Sequence, residues 1–169
     1  MAVRRKVLVL ALAATAVLAS TASASGTPKA CQASQLKGKQ YGSNGAAGTI
    51  LVSITFTNTG AACSMKGYAR LQLMAGARRP LPTHVYHSGV PLISGKPKLV
   101  VLKHGGVATI VIAFSDVTVG SETKCETASE VLVKTPGENT WIGVVAPISA
   151  CGHGSLRESP VLAGRHKAN

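Results

Sequence analysis

The residue pattern points to an all-β domain, a sandwich or a barrel. Roughly six to eight short segments alternate apolar with polar side chains, and turns rich in Gly, Asn and Pro separate them. No stretch of the domain sustains a helical period, and no internal repeat is visible.

The first element is a leader. Arg4, Arg5 and Lys6 precede an uncharged apolar run at residues 7–19, and Ala22 and Ala24 then form the A-x-A pattern of a cleavage site. The run of 13 residues falls short of the about 20 that a membrane span needs. Residues 1–24 therefore read as a secretory signal peptide, and no membrane span is expected. Cys31 follows "TPKA" rather than a lipobox. Cleavage after Ala24 leaves 145 residues, enough for one domain, and lowers the net charge from +12 to +9. Residues 25–30, "SGTPKA", read as a flexible lead-in.

The strands follow. In "TILVSITFTN", Ile50, Val52, Ile54 and Phe56 alternate with polar neighbours, the period of a half-buried strand. "NTGAACSMKG" interrupts it as a hairpin-like or sheet-changing connection, and "YARLQLM" resumes with Ala69, Leu71 and Leu73 on one face. Residues 75–98 carry four prolines and three glycines and predict a long loop with one short edge strand near Val85. Two strands then flank the turn His104-Gly105-Gly106, with Ala108, Ile110, Ile112 and Phe114 sharing a face of the second. "EVLVKTP", "TWIGVVAP" and "SPVLAG" supply the last strands.

All four cysteines, Cys31, Cys63, Cys125 and Cys151, follow the leader. An even number in an exported chain reads as two disulfides, for which the sequence alone permits three pairings. The nearest two lie 26 positions apart and no C-x-x-C pair exists. That spacing argues against zinc and against redox activity.

Taken in order, these pieces are landmarks. They run Cys31, Thr49, Val52, Phe56, Thr57, Asn58, Cys63 and Gly67-Tyr68. Gly105, Gly106, Ala108 and Cys125 come next, then "TPG" at 135–137, Cys151-Gly152 and "SPV" at 159–161. The ordered set resembles the exported, mainly actinobacterial domain of unknown function 4232, over roughly residues 31–162. His104 departs from the family pattern, which has a proline there. The resemblance implies an immunoglobulin-like antiparallel β-sandwich at 31–162, with a basic C-terminal tail at 163–169. It also implies the sequential pairing Cys31–Cys63 and Cys125–Cys151, each bridge contributing roughly 3.5 kcal/mol in the chain-entropy model. It supplies no catalytic residue.

His84 and His87 in "THVYH" would chelate a metal only across a turn, because i and i+3 point to opposite faces of a strand. His104 or His153 would have to be the third ligand. Glu122, Glu126 and Glu130 are spaced for a helix face, yet their segment is rich in Ser and Thr. Asp116 is the only aspartate, there is no G-x-S-x-G elbow, and the serine of "GSL" at 154–156 has only His153 near it. No enzyme, metal or cofactor is expected. The densest basic sites are Arg78-Arg79 and Arg165-His166-Lys167. With six aromatics after the leader and no stacking platform, nucleic acid is not an expected partner.

The expected function is a non-enzymatic secreted or cell-wall-associated binding or structural module that acts through its loops, chiefly 75–98. It would contact anionic envelope polymers weakly, with Arg78 and Arg79 as the anion-binding residues. The alternative is a metal-binding or hydrolytic extracellular protein using His84, His87 and a carboxylate.

Overall fold

The computed structural model describes residues 26–168 apart from 89, 92 and 94, and the leader expected at 1–24 lies outside them. The chain is all-β. β1 (Leu36–Ala46) and β2 (Thr49–Asn58) form a long antiparallel hairpin. Its turn residues, Ala47 and Gly48, both have positive φ, 49° and 74°. Two successive left-handed residues match the twist of the flanking strands. β1 has no counterpart among the sequence-predicted strands, because Gly38, Gly42 and Gly45 break its alternation. Gly38 has a packing reason: a Cβ there would meet Val144 Cγ2 at 2.7 Å and Ile142 Cγ2 at 3.2 Å.

The remaining strands are β3 (Cys63–Met65), β4 (Arg70–Ala75), β5 (Arg79–Pro80), β6 (His84–Tyr86), β7 (Val100–Leu102) and β8 (Val107–Ser115). They continue with β9 (Ala128–Lys134), β10 (Ile142–Ile148), β11 (Ser155–Glu158) and β12 (Leu162–Ala163). One sheet runs β1-β2-β8-β11-β6, with β12 also on β8. The second runs β10-β9-β4-β5, and β3 pairs with β7 in a two-stranded third. All pairs are antiparallel except β6 with β11. β7 and β8 flank the His104-Gly105-Gly106 turn as expected, but they leave it for different sheets. The segment after β2 also changes sheets twice, through β3 and then to β4.

The core fills the space between the two larger sheets. Val52, Ile54 and Phe56 of β2 and Ile110, Ile112 and Phe114 of β8 face Leu71 and Leu73 of β4, Val131 and Val133 of β9, and Val144 and Ala146 of β10. Burying a side chain such as Phe56, fully shielded here, contributes about 2–3 kcal/mol. A second, smaller cluster lies on the opposite face of β8, where Val90 and Ile93 of the long loop cover Val111 and Ala113. The C-terminal run also crosses this face. Thr109 Oγ1 donates to Gly164 O at 2.6 Å and accepts from His166 N–H at 3.2 Å, and Ala168 is buried.

Two disulfides staple the periphery. Cys31–Cys63 joins the N-terminal segment to β3, and Cys125–Cys151 joins the polar loop at 116–127 to the turn Cys151–Gly154. The lead-in is tied down as well. Ser64 N–H donates to Lys29 O at 2.8 Å and Ser64 Oγ to Pro28 O at 2.7 Å. No helix among the described residues is long and apolar enough to cross a membrane.

Asn58 shows how a polar residue organises one end. Its side chain is buried, and Nδ2 donates to Ala61 O, Leu102 O and Lys103 O while Oδ1 accepts from Gln35 Nε2 and Gly60 N–H. One amide thereby satisfies the carbonyls of the connections on both sides of the β2 end, which a buried turn must otherwise leave orphaned.

Candidate functional site

The clearest chemistry gathers where β6 meets β11. Their parallel register sets His84 beside Ser155, Val85 beside Leu156 and Tyr86 beside Arg157. The next residues, His87 and Glu158, therefore arrive together, with Nε2 and Oε2 3.7 Å apart. Glu158 shares the inward face with Leu156, a parity at which a β-strand normally carries an apolar side chain. Its side chain has no exposure and the residue is 1 % accessible. Oε1 accepts the Ala69 N–H at 2.9 Å. Oε2 has no hydrogen-bond partner among the described residues, and it is the only such buried oxygen on a titratable group.

Burial decides the charge of this carboxyl. Loss of solvent pushes its pKa up to about 8, against the pull of the Ala69 N–H. At neutral pH it is therefore a carboxylic acid with a proton to donate. His87, half exposed, stacks on Tyr68 with ring centroids 4.3 Å apart and planes 7° from parallel. Gly67, at φ 122°, lets the chain turn into Tyr68, and its carbonyl accepts the Val161 N–H at 2.9 Å. A cleft of about 410 Å³ opens over Glu158 between Tyr68, His87, Val90, Ile93 and Pro160.

A second cavity, about 360 Å³, lies beside the Cys125–Cys151 bridge, with Leu73, Leu81 and Ala150 at its base and Glu122, Glu126 and His153 among its polar lining. Glu122 accepts N–H groups from Gly152 at 2.9 Å, His153 at 3.2 Å and Val119 at 3.3 Å. The bonds from Gly152 and His153, in that order, hold its carboxyl below the usual carboxylate range. They also fasten a turn in which Gly152 and His153 both adopt left-handed angles. Glu122, Cys125 and Cys151 form a compact trio of potential metal ligands. Both cysteines are consumed by the disulfide, so the thiolates a metal would need are absent.

The residues singled out in the sequence are dispersed. His84 is exposed on β6, one strand step away from the face that His87 continues. His104 lies at the opposite sheet change, its Nδ1 3.3 Å from Gly60 O, and His153 borders the second cavity. Of the proposed set His84, His87 and a carboxylate, only His87 meets a carboxylate. Arg79 is occupied by Glu126, with NH1–Oε2 3.3 Å and NH2–Oε1 3.2 Å, so half of the Arg78-Arg79 charge is neutralised locally.

A basic surface the sequence reading did not isolate lies elsewhere. Lys66 directly follows β3, Lys98 and Lys103 bracket β7, and Lys29 runs alongside Ser64. All four are exposed. Among the described residues Arg79–Glu126 is the only ion pair made by a lysine or arginine, so none of these four lysines is paired. The signal was present in the chain: residues 26–115 hold ten lysines and arginines and no acid, whereas all six acids fall at 116–158.

The fold and these sites define a disulfide-stapled, all-β module with a basic end and a buried-acid cleft. The family model described as Domain of unknown function (DUF4232) matches residues 31–161, and the chain belongs to that family. No curated protein and no solved structure matches the chain.

The family landmarks acquire physical roles. Asn58 is the five-bond hub at the end of β2. Gly67 and Tyr68 line up the cleft. Ser159 Oγ accepts the Val111 N–H at 2.9 Å, and Gly152, next to Cys151, delivers its N–H to Glu122.

Proposed function

We propose that the chain is a non-enzymatic, exported binding module that associates with anionic polymers of the cell envelope through the lysine-bearing end around β3 and β7. The observation that carries this reading is the separation of charge, with ten cationic side chains and no acid over residues 26–115. Four of those cations crowd one small sheet without a carboxylate partner. Two disulfides suit a chain that works in an oxidising compartment. Exposed charges more than about 8 Å apart are screened at physiological ionic strength, so the contact is weak, distributed and sensitive to salt.

The test is retention on a protein-stripped anionic wall fraction across a salt gradient. Retention should fall as salt rises. Lys66→Ser with Lys98→Ser and Lys103→Ser should lower the eluting salt more than Arg78→Ser with Arg79→Ser, because Arg79 already serves Glu126. Retention that ignores salt, or equal behaviour of the two variants, would remove the basic end as the binding surface.

A further inference from the structure

The cleft over Glu158 is independent of the basic end, and its chemistry asks for a different occupant. Glu158 Oε2 is buried and unpartnered among the described residues. Its neighbour His87 Nε2, at 3.7 Å, is beyond hydrogen-bonding distance. Buried polar atoms are nearly always satisfied, so an orphan at the floor of a cleft is a place where something binds. Atoms 3.7 Å apart can both lie within hydrogen-bond length of a single oxygen.

The kind of oxygen follows from the two groups. A protonated carboxyl donates, and an imidazole Nε2 accepts when the ring hydrogen sits on Nδ1. A carbonyl would satisfy only the first, and an ammonium would require Glu158 to ionise in a desolvated site. A hydroxyl satisfies both at once. Around it, the flat Tyr68–His87 stack and the side chains of Val90 and Ile93 supply an apolar wall for the C–H face of a ring. The volume of about 410 Å³ lies within the usual range for small-ligand sites. We infer that this cleft binds an uncharged, hydroxyl-bearing ring, a sugar residue, with one hydroxyl bridging Glu158 and His87.

The titratable groups on the cleft are Glu158, His87 and Tyr68, and their ring and carboxyl NMR signals report occupancy directly. The full chain is titrated near pH 7 with glucose, galactose and N-acetylglucosamine. Ethylammonium and N-methylacetamide serve as the charged and carbonyl-only probes. At least one sugar should give saturable shifts at His87 and Tyr68 where the other two probes give none. His87→Ala, a change at an exposed position that leaves the core intact, should weaken binding several-fold. Raising the pH to 9 should weaken it about tenfold as the acid proton is lost, and Glu158→Gln, which keeps a donor facing the cleft, should abolish that pH dependence. Silence of all three sugars overturns the inference. So does ethylammonium binding that strengthens with pH and disappears in Glu158→Gln, because that pattern belongs to a cation site.

Discussion

A glutamate acts at each end of β11, and the two are in opposite states. Glu122 accepts three backbone N–H groups near the surface, two of them from the turn that leads into the strand, and stays ionised. Glu158, at the far end, accepts one N–H out of contact with water and holds its proton. The chemical group is the same; the number of donors and access to solvent differ. One N–H cannot offset the loss of hydration that three N–H groups and solvent readily balance. The difference separates roles: Glu122 fixes a loop, and Glu158 keeps its proton beneath a cleft.

The largest expected effect tests the buried partner. Folded Glu158 keeps its proton up to about pH 8, whereas the unfolded chain releases it near 4.5. Between those values the unfolded state binds fewer protons, so native stability falls as pH rises, by about 1.4 kcal/mol per unit. Glu158→Gln cannot titrate. Its urea-derived stability relative to the parent should therefore climb between pH 5 and pH 8, reaching on the order of 4 kcal/mol, and be level outside that window. A difference that stays constant across the range would mean that Glu158 is ionised in the fold, and the contrast with Glu122 would collapse.

The next effect separates the two staples. Cys125→Ser with Cys151→Ser should cost about 3.5 kcal/mol, and so should Cys31→Ser with Cys63→Ser. Only the first pair holds the loop of Glu122 against Gly152 and His153. The first double variant should therefore also lose the extra acid sensitivity that Glu122 confers, as read from urea midpoints between pH 3 and pH 6. Identical acid limbs for both variants would show that the loop keeps its place without the bridge.

Much of this architecture was legible in the chain, and the omissions have physical causes. β2, β8, β9 and β10 announce themselves because their core-facing apolar residues, such as Ile54 and Val131, recur at every second position. β1 stays hidden because glycine lets it approach β10 closely, and glycine erases the alternation that marks a strand. β6 was legible as an edge strand near Val85, but its parallel pairing with β11 was not, since register between segments about 70 positions apart leaves no local trace. The cleft was missed for the same reason. Glu158 shares its parity with Leu156, which hints at an inward acid, yet only the register brings His87 to it. Arg78-Arg79 looked like the densest cation in the chain until the fold set Glu126 beside it.

The smallest effect belongs to Glu122, and it runs in the opposite pH direction. Its folded pKa lies below the ordinary 4.5 because the Gly152 and His153 N–H groups favour the carboxylate, with Val119 adding a further bond. A carboxyl of this kind contributes stability above 4.5, and the contribution disappears as pH falls through the lowered folded value. Glutamine has a single acceptor oxygen and no charge, so it cannot receive Gly152 on one oxygen and His153 on the other. Glu122→Gln should therefore be slightly less stable than the parent at pH 7 and match it once both are well below pH 4.5, by urea midpoints at each pH. The site is open to solvent, so the gap should be small and should shrink further in high salt. A deficit that persists undiminished in acid would mean that the side chain holds the Cys151–Gly154 turn by shape alone. The ionised member of the pair would then owe nothing to its charge.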